Sequence, residues 1–447
     1  MSAYDRFVGA ATLKRLRFAR GWSLADTARA VIRKATDLGQ PLDASVASVQ
    51  RSVARWESSK APVLPAERYQ LLLAHLYARG SDGRIALGPG SDAAELLDAL
   101  AYLGESERRL DELRTLLMRT ATDTGAGMLA LLGPSAEDGL SAALADPGRL
   151  DEGVLDALRA VVGDVNKRVG SLPFVRLQLL LSPVIESCRR LLEGPVPDGL
   201  LPGLQTVAAQ AYTLGGRLAF ETRDDDASRA LYAAATTAAG AVGALWHRSV
   251  VHMSHALVTL YSTPGVDAAQ QLVDAAVRDA RAGGSVTIRA RAHALQAEIA
   301  ARRGVQKSAQ TSLALAWYDM DSNRDGDPAG MSFSPAHLRG FEGITSLYVG
   351  DASEAHDYFA ASADALLAPR EQVQRAIVAT DQALARIRLD EPKSAAGLLH
   401  GCIDAASTTG GRVASIRLRR ARHELRPWRR EHWFADLDDH LIDSLGA

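Results

Sequence analysis

The sequence predicts an all-α protein, and three observations support this prediction. Aromatic residues make up 5% of the 447 residues while alanine is abundant, which favours helices packed through small side chains over sheets rich in β-branched and aromatic residues. Apolar residues recur three or four positions apart in one segment after another, as they do on the buried face of a helix. The chain is also too long for one ordinary domain, so we expect two or three helical units.

The charge is unevenly distributed along the chain. The whole chain has a net charge of −2, but residues 1–84 contain 14 basic and 7 acidic residues, whereas residues 85–447 contain 37 basic and 46 acidic residues. Affinity for nucleic acid follows the local field and the release of counterions, not the total charge. A basic amino-terminal unit on an acidic body is the pattern expected of a DNA-binding head. An RNA-binding head would give the same balance.

The first 78 residues are predicted to form a small helical head. The segment TLKRLRFARG is predicted to be an amphipathic helix that ends at Gly21, because glycine accommodates the turn after a helix. Ser23 then opens a second helix, whose first turn holds Asp26 at the spacing of a capping box. A polar interruption that contains Pro41 separates this helix from a third, and a fourth helix follows Pro65.

The third predicted helix begins near Ser45 and has one apolar and one polar face. Its apolar residues fall three or four positions apart and define a buried stripe, namely Val46, Val49, Val53 and Trp56. Polar side chains occupy the opposite face, namely Ser48, Gln50, Arg51, Ser52 and Arg55. This face is therefore the part of the head that is best suited to contact a polar partner.

These segments resemble the helix-turn-helix heads of XRE-type (xenobiotic response element, repressor-like) transcription factors, and more closely the branch common in high-GC Gram-positive bacteria. The strings that carry the resemblance are LKRLRFARGWSLADTARAV, SVQRSVARWESSKAP and ERYQLLLAHLY. The match they define covers about one sixth of the chain. The Arg55-Trp56-Glu57 core is their most specific part. The resemblance implies that the third helix enters the major groove of double-stranded DNA and presents its polar side chains to base edges.

The base contacts that the resemblance implies agree with the chemistry of the polar face. Gln50 can read adenine bidentately, and Arg51 and Arg55 can read guanine or phosphate, each good contact contributing roughly 1–3 kcal/mol of discrimination. The resemblance also points to Ser52 as a contact, and Ser48 on the same face is a further candidate. Three more basic residues are candidates for phosphate contacts or are ordinary solvated surface, namely Arg33, Lys34 and Lys60. The simpler repressors have a phosphate-binding Gln where this chain has Leu24.

Residues 79–90, RGSDGRIALGPG, are predicted to be a flexible linker between the head, residues 1–78, and a helical connector, residues 91–148. The connector has a narrow leucine stripe that either forms a dimer or docks on the rest of the chain, namely Leu110, Leu113, Leu116 and Leu117. XRE-type proteins usually read two half-sites, so we expect a homodimer.

Residues 149–447 contain a degenerate repeat of a turn residue followed by a small, a large and a small residue. The turn residues step by 41, 40, 46 and 40 positions, namely Arg223, Pro264, Gly304, Gly350 and Asp390. This pattern resembles tetratricopeptide (TPR) repeats, most clearly in the segment SLYVGDASEAHDYFAAS. The resemblance implies a TPR-like α-solenoid with a concave groove that senses a small molecule or a peptide.

The same resemblance places seven polar residues on the concave groove, namely Gln210, Thr213, Arg217, Tyr261, Arg291, Glu298 and His337. Arg217 and Arg291 can clasp a carboxylate in fork geometry. The alternative is that these groups solvate a helix face or pair with one another.

No catalytic motif, cofactor motif or metal-ligand spacing is present in the sequence, so we expect neither an enzyme nor a bound cofactor or metal. Cys188 and Cys402 lie far apart and are expected to be buried thiols, and the histidines of ALWHRSVVHMSHALV are expected to be structural. No signal sequence or membrane span is recognisable, which predicts a cytoplasmic protein without a membrane partner. The sequence thus predicts a DNA-binding transcriptional regulator with a sensor body. A protein-interaction scaffold with a tethering head is the alternative.

Overall fold

The computed structural model describes residues 3–38, 41–80, 85–88, 90–123, 134–263, 265–330, 332–367 and 371–445. Within these ranges the chain forms 21 α-helices, and β-pairing is limited to two isolated bridges. The all-α prediction is therefore confirmed. The chain divides into two compact units, residues 1–150 and residues 151–447.

The first unit contains the predicted head and the predicted connector. Its helices are α1 (Ala3–Ala19), α2 (Leu24–Asp37), α3 (Val46–Trp56), α4 (Glu67–Tyr77), α5 (Asp92–Leu103), α6 (Glu107–Asp123) and α7 (Pro134–Ala145). The predicted capping box is present, because the Ser23 side chain accepts from the Asp26 amide and the Asp26 carboxylate accepts from the Ser23 amide. The Ser45 side chain caps α3 by accepting from the Ser48 amide, and Gly21 has the positive φ of 65° that the turn after α1 requires.

The six helices α1 through α6 share one hydrophobic core. The apolar stripe of α3 lies in this core, and so do Leu110, Leu113 and Leu117 of α6. The leucine stripe of the connector thus packs inside its own unit, which answers the choice between docking and dimerisation for these three residues. The segment 79–90 lies within the first unit and not at the division between the units; residues 81–84 and 89 of this segment are outside the described residues.

The second unit is a succession of helix pairs. Its helices are α8 (Glu152–Lys167), α9 (Phe174–Leu192), α10 (Leu201–Glu221), α11 (Asp225–Ala241), α12 (Trp246–Leu260), α13 (Gly265–Ala282), α14 (Val286–Arg302), α15 (Gln306–Met320), α16 (Pro335–Val349), α17 (Ala352–Ala365), α18 (Gln372–Arg388), α19 (Pro392–Thr409), α20 (Arg412–Glu424) and α21 (His432–Leu445). The closest packing joins the two helices of a pair, from α10 with α11 to α18 with α19.

The predicted turn residues lie between the two helices of their pairs. Arg223, Gly304, Gly350 and Asp390 all have positive φ, between 59° and 113°, and Pro264 is outside the described residues. The small and large residues that follow each turn are buried or half-buried on the second helix of the pair. The residues of each repeat set therefore occupy equivalent positions in successive helix pairs. The turn residue has positive φ because this conformation lets the chain reverse between two helices.

Small residues allow the two helices of a pair to approach closely. A Cβ atom added at Gly216 would lie 3.0 Å from the ring of Tyr232, and one added at Gly343 would lie 2.6 Å from the ring of Phe359. Both rings belong to the large residue of a repeat set and are almost completely buried. Glycine is needed at these two positions because the aromatic ring occupies the space of a side chain.

The two ends of the second unit contact each other. The Glu221 carboxylate at the end of α10 accepts a hydrogen bond from the Val413 amide in the first turn of α20, at 3.0 Å. A Cβ atom at Gly411, the N-cap of α20, would lie 2.7 Å from Phe174 of α9. Arg412 also forms an ion pair with Asp225 of α11. The row of helix pairs is therefore closed by α20, and this closure was not expected from the sequence.

The replacement Gly343→Ala is expected to destabilise the second unit by about 1–3 kcal/mol, because the added methyl group would overlap the ring of Phe359. Gly397→Ala is the matched control, since Gly397 is exposed on α19 with nothing within 4 Å of an added Cβ. This control is expected to stabilise the unit by about 0.5–1 kcal/mol. Urea denaturation measures both changes; equal effects would contradict the close approach of α16 and α17.

Candidate functional site

The first candidate site is the outer face of α3. Its inner face is held by Val49, Val53 and Trp56, which are buried in the core of the first unit. The Trp56 ring packs against Tyr69 of α4, with ring centroids 5.1 Å apart. The outer face is exposed, and Arg51 lies there one helical turn before Arg55, so both guanidinium groups extend from one side of the helix.

A buried ion pair fixes the end of α3 to α1. Arg17 Nε lies 2.9 Å from Glu57 Oε1 and Arg17 Nη2 lies 2.7 Å from Glu57 Oε2; the two side chains are 6% and 7% exposed. Arg17 Nη1 also donates to the carbonyl oxygen of Trp22 at 2.8 Å. The hydrogen bond to Glu57 raises the pKa of Arg17. Glu57 belongs to the most specific string of the resemblance, but sequence analysis did not identify its partner.

The predicted base-contacting residues differ in their accessibility. Arg51 and Arg55 are exposed, and within the described residues no carboxylate lies within ion-pair distance of either guanidinium. Ser48, Gln50 and Ser52 are half-buried at the borders of the exposed face, and the Ser52 hydroxyl donates to the Ser48 carbonyl oxygen at 3.4 Å. The two arginines are thus the most accessible charged groups on α3.

The residues predicted to contact phosphate also differ in their exposure. Arg33 on α2 and Lys60 after α3 are exposed. Lys34 is half-buried, and its Nζ atom lies 3.6 Å from Asp37 Oδ2. Arg33 and Lys60 are therefore more available to an external anion than Lys34.

Two alanines share the exposed face with the arginines. Ala47 and Ala54 are both exposed on α3, at positions that share a face with Arg51 and Arg55. They were not predicted, because only polar residues were expected to contact bases. The 47/51/54/55 spacing was the signal that could have identified them.

The second candidate site is a cavity of about 250 Å³ inside the second unit. Its wall brings together five of the seven predicted groove residues, namely Arg217, Tyr261, Arg291, Glu298 and His337. Gln210 and Thr213 do not line the cavity. Gln210 is exposed, and the Thr213 hydroxyl donates to the Ala209 carbonyl oxygen of its own helix at 2.6 Å.

Much of the remaining wall is apolar and was not predicted. It includes aliphatic and aromatic side chains from α12, α14 and α16 and from the segment before α16, namely Leu257, Val258, Leu295, Phe333, Phe341 and Ile344. Apolar spacing alone could not have identified them, because a core residue and a cavity-lining residue share the same spacing.

The three carboxylates of the cavity wall have partners. Glu298 accepts from Arg302 at 2.8 Å, Asp381 pairs with Arg417, and Glu221 accepts from the Val413 amide. Burial raises the pKa of Glu221, and the nearby Arg217 opposes that shift. Asp381 and Glu221 are thus engaged in contacts with α20, whereas Glu298 pairs within α14.

Arg217 and Arg291 differ from the other arginines of the wall. Within the described residues, neither forms an ion pair or a side-chain hydrogen bond. Burial lowers the pKa of Arg291, and the positive charge of Arg217 lowers it further, so the two guanidinium groups lie near enough to repel each other. Two positive charges therefore line the cavity without an ion-pair contact in the described residues, although Glu221 lies near enough to Arg217 to feel its charge.

The two cysteines are buried, as expected, and two histidines of α12 contact neighbouring side chains. Burial raises the pKa of Cys188 to about 12 and that of Cys402 to about 11, which makes both thiols poor nucleophiles. His252 lies 3.5 Å from Asp279 and His255 stacks on Tyr232. In the described part of the chain, no group of three or more His, Cys, Asp or Glu side chains is arranged to hold a metal ion. No helix in that part combines the length and apolar content that a membrane crossing needs.

Glu57→Gln is expected to destabilise the first unit by about 3–5 kcal/mol, because it leaves the buried Arg17 charge without a counter-charge. The matched control is Glu112→Gln, which removes an exposed partner of Arg109 and is expected to leave stability unchanged. Amide hydrogen exchange of α1–α4 measures the effect. Unchanged protection of α1 and α3 in the Glu57 variant would contradict the assigned role of the pair.

Comparisons of the chain with family models, with curated proteins and with solved structures found no match. Two features of the chain itself bear on its function: the exposed arginines of α3 and the cavity of the second unit.

Proposed function

We propose that the chain is a sequence-specific DNA-binding transcriptional regulator, with α1–α4 as an XRE-type helix-turn-helix head and the second unit as a TPR-like sensor. The observation that carries the proposal is the pair of exposed arginines, Arg51 and Arg55, on a helix whose other face is buried. A helix held in this manner can enter the major groove of double-stranded DNA. The excess of basic residues before residue 85 supports an approach to phosphates.

The residues of α3 divide into three kinds of contact. Arg51 and Arg55 read guanine or phosphate, and Gln50 reads adenine from the border of the face. The small side chains of Ala47 and Ala54 leave room for a base edge to approach closely. An alanine methyl group can also contact the thymine methyl group. Arg33 and Lys60 supply phosphate contacts, which fix register without reading sequence.

The buried Arg17–Glu57 pair supports this function because base reading requires a fixed helix. A side chain that reads a base edge must be held within a fraction of an ångström of its hydrogen-bonding position. The pair connects α1 to the residue that ends α3, and the core holds the rest of the helix. The arginines of α3 thus extend from a rigid support.

The second unit serves as the sensor in this proposal, and the chain acts as a homodimer because operators of this kind are usually read as two half-sites. An effector in the cavity shifts the population towards one arrangement of the second unit. Its differential affinity for the two arrangements sets the size of the response. The cavity wall, with its unpartnered arginines, supports a small molecule over a long peptide.

The double replacement Arg51→Ala and Arg55→Ala is expected to abolish sequence-specific DNA binding. The target duplex is first selected from a random-sequence library with the native protein, and binding is then measured by mobility shift at several salt concentrations. Each arginine that reads a base should contribute roughly 1–3 kcal/mol, and each that contacts a phosphate should lower the salt slope by about 1. Arg108→Ala, on the exposed surface of α6, is the matched control and should bind normally.

Unaltered binding by the double variant would refute the assignment of α3 as the reading helix. Failure of the native protein to select any duplex would favour the alternative, a protein-interaction scaffold. In that case a partner protein should remain bound to the chain after nuclease treatment.

A further inference from the structure

Not every charged group on the cavity wall has a partner. Glu298 and Asp381 are each paired with an arginine, and Glu221 accepts from the first turn of α20. Arg217 and Arg291 have no such partner in the described part of the chain. A guanidinium group removed from water without a partner costs free energy, and a neighbouring guanidinium group adds repulsion. An anion between the two would relieve both costs.

The apolar part of the cavity wall indicates what kind of molecule carries the anionic group. Leu257, Leu295 and Phe333 line the same cavity as the two arginines. Apolar walls with a few convergent polar groups are typical of sites for small organic molecules. A volume of about 250 Å³ is slightly below the usual range for drug-sized ligands, so the molecule is small and has a short apolar body.

We infer that the cavity binds a small organic acid, with its carboxylate between Arg217 and Arg291 and its alkyl or aryl body against Leu257, Leu295 and Phe333. The binding follows from the second unit alone, whereas its role as an effector rests on the proposed function. Carboxylates match the planar fork of a guanidinium group and accept two parallel hydrogen bonds from it.

The local charge favours a carboxylate over a phosphate. Glu221 lies near Arg217 and also lines the cavity. When Glu221 is ionised, the three groups Arg217, Arg291 and Glu221 sum to one positive charge. A monoanion neutralises that charge, whereas a phosphate would bring excess negative charge close to Glu221 and would be repelled.

The test uses the full chain and measures binding by calorimetry and thermal unfolding at constant ionic strength. The probes are alkanoates of four to eight carbons and 3-phenylpropionate, together with the neutral amides of the same acids and inorganic phosphate. At least one carboxylate is expected to bind and to raise the melting temperature, and its amide is expected to bind at least tenfold more weakly. Phosphate is expected to bind more weakly than that carboxylate.

Arg291→Gln is expected to abolish the preference for the acid over its amide. Without ligand this variant should be as stable as the native protein or more stable, because it removes a half-buried charge that has no ion-pair partner in the described residues. A structural role for Arg291 would give the opposite result. Arg303→Gln, at the C-terminal end of α14, is the matched control, since its pair with Asp267 is exposed; this variant should keep the preference.

The inference is overturned if no carboxylate binds, if acid and amide bind equally, if phosphate binds more tightly, or if Arg291→Gln retains the preference. Should Arg291→Gln fail to fold, Arg217→Gln and the comparison of acid with amide in the native protein decide the matter. DNA binding is measured separately. Carboxylate binding without DNA binding would refute only the proposed function, and DNA binding without carboxylate binding would refute only this inference.

Discussion

The cost of removing a charge from water is the constraint on which both candidate sites depend. Where the chain buries a charged group for structure, it provides a partner: Arg17 has Glu57, and Glu298 has Arg302. The groups without a partner are then informative. Arg51 and Arg55 avoid the cost by exposure, whereas Arg217 and Arg291 face a cavity. We therefore propose different ligands for the two pairs: duplex DNA for Arg51 and Arg55, and a small acid for Arg217 and Arg291.

Local chemistry explains why much of the fold was predictable. Apolar spacing identified the helices, and the Ser23 and Asp26 pair defined the start of α2, because a cap needs only residues three positions apart. The turn residues at Arg223, Gly304, Gly350 and Asp390 were predicted for a related reason. A chain reversal between packed helices imposes the same local requirement each time, so it appears as a repeat.

Long-range partners could not be predicted in this manner. Arg17 and Glu57 are 40 residues apart, and the sequence does not show which of the many arginines of the head lies beside Glu57. The closure of the second unit joins Glu221 to Val413, 192 residues later. The resemblance to TPR repeats identified five cavity residues but included Gln210 and Thr213, because a helix face assigned from one register does not show which part of a groove deepens into a cavity.

Glu221 lies on the cavity and on the contact that closes the second unit, and this double position limits how an effector can act. Its carboxylate accepts from the first turn of α20, where a negative charge is favourable, and the nearby Arg217 helps to keep it ionised. In the proposed sensor, an anion at Arg217 would weaken that support, so occupancy of the cavity and closure by α20 would be coupled. The coupling acts in both directions, since any change in closure must alter the affinity for the anion by the same factor. A neutral ligand of the same shape would fill the cavity without weakening the support for the Glu221 charge. The charge of the ligand, more than its size, would therefore set the change in closure by α20.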